Sequence, residues 1–138
     1  MPSIGNVELI DRLFTLSNRS AIGDASALSE LISSYHDDAD VRAALDGVSG
    51  DTNTAELIRR YFESVNRKCY VWFIYADDVQ DHGERVVALG GIRTVDKGTR
   101  DDREQAVGWV FEIRDGRIDA VRAYASHAEA MDAVRNSA

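Results

Sequence analysis

The sequence has one cysteine, one proline and no long apolar run among its 138 residues. Each lack excludes something. Lone Cys69 has no partner for an internal disulfide, which fits a reducing compartment. Its place inside an apolar run marks it as a buried structural thiol rather than a nucleophile. Pro2 is the single proline, and 44% of the residues are hydrophobic, so the composition is that of a folded chain and not a disordered one. The longest apolar stretch, Cys69 to Ala76, falls far short of the roughly 20 residues a membrane helix requires. The opening segment carries acidic residues and no basic region, so it does not read as a signal peptide. A soluble, cytoplasmic protein is expected.

Basic charge is also scarce. Sixteen Lys and Arg face 24 Asp and Glu, a net charge of −8. Nucleic acid is repelled overall, because phosphate binding needs clustered cations. Arg59-Arg60 and Arg67-Lys68 are short and stand beside acidic neighbours. No H-x-x-x-H motif or cysteine pair suggests a metal, and no phosphate-loop, dinucleotide or nucleophile-elbow signature suggests a cofactor or an acyl enzyme. No cofactor is expected.

What is present is periodicity, over a length that suits one domain spanning 1–138. Val7, Ile10, Leu13 and Phe14 fall at helical spacing. Gly23 breaks that helix, and Asp24 can cap a second whose Leu28, Leu31 and Ile32 share a face. A strand is expected at about 40–45, then a loop marked by Gly47 and Gly50. Asn53 with Glu56 resembles a capping box, opening a helix in which Leu57, Ile58, Tyr61, Phe62 and Val65 keep the 3.6-residue period. From Cys69 the period becomes extended, with runs at about 69–80, 85–96, 103–114 and 117–125. Asp115-Gly116 is a strong hairpin signal, and Ser126 with Glu129 caps a closing helix striped with Ala130, Met131 and Val134. The order α-α-β-α-β-β-β-β-α predicts an α+β fold: a strongly curved antiparallel sheet with helices on its concave side, cone-shaped and holding a pocket.

That order, with the run from Trp109 through Asp115-Gly116-Arg117-Ile118 to Arg122-Ala123-Tyr124, resembles the final hairpin of SnoaL-like and nuclear-transport-factor-2-like proteins. The resemblance implies the cone fold; the fold itself hosts many activities. Relatives similar to ketosteroid isomerase need a base and two oxyanion donors where this chain has Ala43 or Ala44, Leu13 or Phe14, and Trp109. Those similar to limonene epoxide hydrolase need an Arg and two Asp, where this chain has Arg93, Val95 and Ala123, with Asp96 one position off. Neither mechanism is complete, and no catalytic base is assigned.

Strand alternation places Trp109, Phe111 and Ile113 on one face, taken as the inner one. Val87, Leu89, Gly91, Arg93 and Val95 are read as looking the same way, which makes Arg93 a candidate polar anchor unless it pairs with a structural carboxylate. Trp109, Phe111 and Phe62 would wall a site for a small apolar ligand. His36, His82 and His127 read as surface residues, with His36 beside Asp37 and Asp38 as a lesser acid/base candidate. Val86, Ala88, Ile92, Trp72, Ile74, Val110 and Tyr124 then fall on the outer face, whose apolar character suggests a homodimer through the sheet. The rival is a non-catalytic dimeric module whose cone is filled by its own side chains.

Overall fold

The computed structural model describes residues 5–41, 44–45 and 53–136. The chain order is α1 (Asn6–Ala21), α2 (Ala25–Ser33), β1 (Tyr35–Asp40), α3 (Thr54–Lys68), β2 (Cys69–Asp81), β3 (Arg85–Asp96), β4 (Asp102–Arg114), β5 (Arg117–Tyr124) and α4 (His127–Asn136). This is the expected α-α-β-α-β-β-β-β-α order. Helix α1 buries Leu9, Ile10, Leu13 and Phe14 along one stripe. Gly23, at φ 91°, turns the chain where a side chain would be strained, and the Asp24 carboxylate accepts the Ala27 N–H at 3.0 Å to start α2. At α3 the Asn53 side chain accepts the Glu56 N–H at 2.9 Å. The Glu56 carboxylate turns instead to Arg60, so only half of the capping box forms.

The first strand comes earlier than its sequence suggested, at Tyr35–Asp40 rather than 40–45. Its anchors are Tyr35 and Ala39, both buried, and the polar run between them had masked the alternation. Ala44 lies in a turn, while residues 42–43 and 46–52 lie outside the described residues, Gly47 and Gly50 among them.

The sheet order is β1-β5-β4-β3-β2. Strands β2 to β5 form an antiparallel meander, and β1 joins its end parallel to β5. Asp115 and Gly116, at φ 54° and 74°, make the tight turn between β4 and β5 that their sequence announces. The β3–β4 turn is built differently. There the Asp96 carboxylate accepts the N–H groups of Gly98 and Thr99 at 2.8 and 2.9 Å, and Arg100 takes φ 62°.

That turn sets Ala88 opposite Trp109 and Ile92 opposite Gln105. The inner face of β3 therefore carries Val86, Ala88 and Ile92, and the set containing Arg93 looks outward. Trp72 and Ile74, opposite Thr94 and Ile92, are inner as well. The sequence reading had the two faces of β3 exchanged. Both sets are apolar, so alternation alone could not choose between them.

The outer face is apolar because α4 lies on it. Val87, Val110 and Ala130 form a second buried cluster with Leu89, Tyr124, Met131 and Val134, separate from the main core under α1, α2 and α3. The fourth helix is thus not on the concave side with the others. No helix among the described residues is long and apolar enough to cross a membrane.

Candidate functional site

The helices α1 and α3 do not fill the curved sheet, and the space left is a cavity of about 960 Å³. Its size falls at the upper end of what small-molecule sites require. The sheet contributes Trp72, Ile74, Trp109 and Phe111, whose positions follow from the register just described. From α1 comes Phe14, packed edge-on to Trp109 with ring centroids 4.8 Å apart. From α3 come Phe62 and Tyr61, each perpendicular to Trp72 at 5.4 and 6.0 Å. These T-shaped contacts hold the aromatic walls apart.

Of the four residues expected to bind a ligand, the structure brings three together. Trp109, Phe111 and Phe62 all line the cavity. Arg93 does not. It opposes Phe73 on β2 and Glu104 on β4, on the outer face. Its guanidinium donates twice to Asp102, from Nε at 3.1 Å and from NH2 at 2.8 Å. Hydrogen bonding and charge hold the Asp102 carboxyl below its ordinary range and raise Arg93 correspondingly. The donor fork is consumed by a surface ion pair, and Arg93 is no anchor for a ligand in the cone.

The histidines also resolve. His36 lies on β1 and donates to the Arg114 carbonyl at 2.6 Å. His82 meets Gln80 in an exposed turn, whereas His127 is half-buried with its ring nitrogen 2.8 Å from the Gly90 carbonyl. None of the three lines the cavity. Among the described residues no Asp, Glu or His does, and no group of three metal-binding side chains is close enough to share an ion.

The wall is apolar for the greater part but carries polar side chains too, Ser64 and Thr94 among them. Ser17 donates to the Leu13 carbonyl at 2.8 Å, and the Trp72 indole N–H to the Tyr61 hydroxyl at 3.1 Å. Cys69 is half-buried in the wall, and burial, with Asp96 nearby, raises its thiol pKa. Lys68 and Gln105 are exposed and stand where the cavity meets solvent. Tyr35 was missed by sequence reasoning, because the strand that carries it had been placed five residues later. It is 9% exposed and lines the cavity, and burial pushes its phenol well above the ordinary tyrosine range. An apolar-bodied tyrosine two residues after a helix end, with Ala39 four residues on, was the available signal.

No protein-family model and no curated protein matches the sequence. Solved structures do match by shape. An NTF2-like protein of unknown function from Burkholderia pseudomallei superposes with a TM-score of 0.71 at 15% identity, over 94% of this chain and 97% of that one. A hypothetical protein from Catenulispora acidiphila with a ketosteroid isomerase-like fold, solved with trimethylamine, gives 0.64 at 12% identity over 87% and 89%. The epoxide hydrolase/cyclase-like enzyme SalBIII, of pyran ring formation in the polyether salinomycin, gives 0.66 at 17% identity over 88% and 91%. At such identities the likeness is one of fold, and the fold is NTF2-like.

Proposed function

We propose that this protein, an NTF2-like cone with an apolar cavity, binds a largely apolar small molecule between α1, α3 and the sheet. One observation carries the reading: about 960 Å³ of space walled by aromatic and aliphatic side chains, with no carboxylate or imidazole among its described lining residues. Apolar surface facing water there gains about 25 cal/mol per Å² when a ligand covers it. Trp109, Phe111 and Phe62 are the walls of the site. Any reaction needs no cofactor and is a cyclisation promoted by holding the substrate folded, since hydrolysis and proton-shift isomerisation both call for an acid/base group that the described wall does not supply. The site of action is the cytoplasm.

The test is titration with 1-aminoanthracene, whose fluorescence rises in apolar surroundings. The wild type should bind one equivalent per chain, and Ala123→Trp, which fills the cavity beside Trp109, should abolish binding while the fold persists. Absence of saturable binding to the wild type would leave the cone without a ligand-binding role.

A second reading, the non-catalytic homodimer through the sheet, keeps a narrower footing than the sequence suggested, because α4 covers Val110 and Tyr124. What favours it now is Phe73, 48% exposed and stacked on Tyr75 with centroids 6.3 Å apart. These rings stand on the outer face beyond α4, flanked by the Arg93–Asp102 pair and by Glu104, which accepts the Tyr75 hydroxyl at 2.8 Å. Sedimentation of Phe73→Glu against the wild type checks it: a dimer that dissociates in the variant supports the interface, and a monomeric wild type removes it.

A further inference from the structure

Granted the apolar ligand proposed above, the cavity wall also prescribes which polar atoms that ligand carries. Tyr35 and Trp109 are 9% and 8% exposed, and both line the cavity. Neither the phenol O–H nor the indole N–H has a hydrogen-bond partner among the described residues. The contrast with their neighbours is sharp, since the buried hydroxyls of Ser17, Ser20 and Thr54 all donate to main-chain carbonyls. Arg117 Nε is the one fully occluded side-chain nitrogen or oxygen left unpartnered among the described residues, so the equally partnerless Tyr35 and Trp109 atoms still reach open space.

A donor that has no protein partner and opens on a cavity is free to meet an acceptor on a ligand. An indole N–H can only donate. The Tyr35 phenol stays protonated through the physiological range, because burial disfavours its anion, and so it too is a donor. The described wall offers no carboxylate, so a cation inside it would meet no opposite charge. Its one cation, Lys68, is exposed at the edge, so a carboxylate inside would lose its hydration without an ion to offset the loss.

We propose that the ligand is a neutral, mostly hydrocarbon molecule bearing acceptor oxygens (a ketone, ester or ether), and that Tyr35 and Trp109 donate hydrogen bonds to those oxygens. The apolar walls supply the affinity, and the two donors fix the orientation.

The experiment uses two probes of one shape, 2-acetylnaphthalene and 2-isopropenylnaphthalene, which differ by an acceptor oxygen in place of a methylene. Their affinities are measured calorimetrically for the wild type, Tyr35→Phe and Trp109→Phe, and the bound ketone's carbonyl stretch is recorded by infrared difference. Binding of the alkene reports that the walls survive each substitution. In at least one variant the ketone should weaken roughly five- to tenfold relative to the alkene, the loss expected for one hydrogen bond to a neutral acceptor. The carbonyl stretch should rise in the same variant toward its value in hexane. A ketone-to-alkene ratio and a carbonyl frequency that stay constant across all three proteins would overturn the donor assignment and leave the apolar cavity standing. If neither probe binds the wild type, the apolar-ligand reading falls and the donor assignment with it.

Discussion

Placing α4 on the outer face makes a sharp prediction at Gly108. A Cβ built there would lie 2.4 Å from the Ala130 Cβ, with Leu89 Cδ2 and the Ser126 carbonyl oxygen each at 3.4 Å. Carbon atoms pack at about 3.5–4.0 Å, so Gly108→Ala must push the helix off the sheet by roughly 1 Å or more. Overpacking of this kind costs about 1–3 kcal/mol, and the entropy an alanine removes from the unfolded chain offsets about 0.4–1 kcal/mol. A 2.4 Å approach puts the clash in the upper part of that range, so the net is a loss of about 1–2.5 kcal/mol, or roughly 3–9 °C in melting temperature for a domain of this size. Ala130→Gly alone also destabilises, by about 1 kcal/mol for glycine inside a helix. Combined, the two should cost clearly less than their sum, because the second removes the atom the first collides with. Urea unfolding of the four proteins yields that coupling energy, with a constant m-value showing that the same structure unfolds. A neutral Gly108→Ala, or strict additivity, would mean that α4 does not pack on β4 at this point.

Other expectations follow from single groups. The raised Tyr35 pKa means that the folded state holds a proton the unfolded chain releases, so its contribution is intact below about pH 10 and is lost as pH rises above that. Urea midpoints at successive alkaline pH values should fall less steeply for Tyr35→Phe than for the wild type. Asp96, Asp102 and Asp119 have lowered pKa values, the first through the N–H groups of its turn and the others through arginine partners, so they stabilise the fold above about pH 4 and cease to as acid protonates them. An acid unfolding series should show stability falling below that pH and shifting in Asp102→Asn. Arg93→Ala should leave probe affinity in the cavity unchanged, since its partner Asp102 is on the other side of the sheet; a large loss of binding would restore Arg93 as an anchor. Asn53→Ala removes the cap of α3 and should cost about 1 kcal/mol, read from the shift in urea midpoint.

Local rules carried most of the fold. The four long strands, the Asp115-Gly116 turn, and the caps at Asp24, Asn53 and Ser126 all stand where residue chemistry placed them. What failed was long-range. The inward set on β3 depends on its register with β4, and that depends on the turn built by Asp96 and Arg100. Counting back from the Asx pattern Asp96-Lys97-Gly98-Thr99 would have given the register, because it pairs Val95 with Asp102. The hydrophobic pattern could not, for β3 is buried by the core on one side and by α4 on the other. Arg93 was misplaced by that single step and Tyr35 by the position of β1. The three apolar wall residues were legible because Trp109 and Phe111 dominate their strand face and Phe62 sits in the strongest helical stripe.

The most direct test of the cavity as a binding site is the methyl spectrum of the protein titrated with 2-ethylnaphthalene, an apolar probe with no hydrogen-bonding group. Binding in the cone predicts concerted shifts of Leu13, Val65, Ile92, Val107 and Val121, which lie on α1, α3, β3, β4 and β5 and all line the cavity. Val87 and Val110, under α4 on the other side of the sheet, should stay still. Shifts confined to the outer face, or no saturable shift at all, would contradict the account.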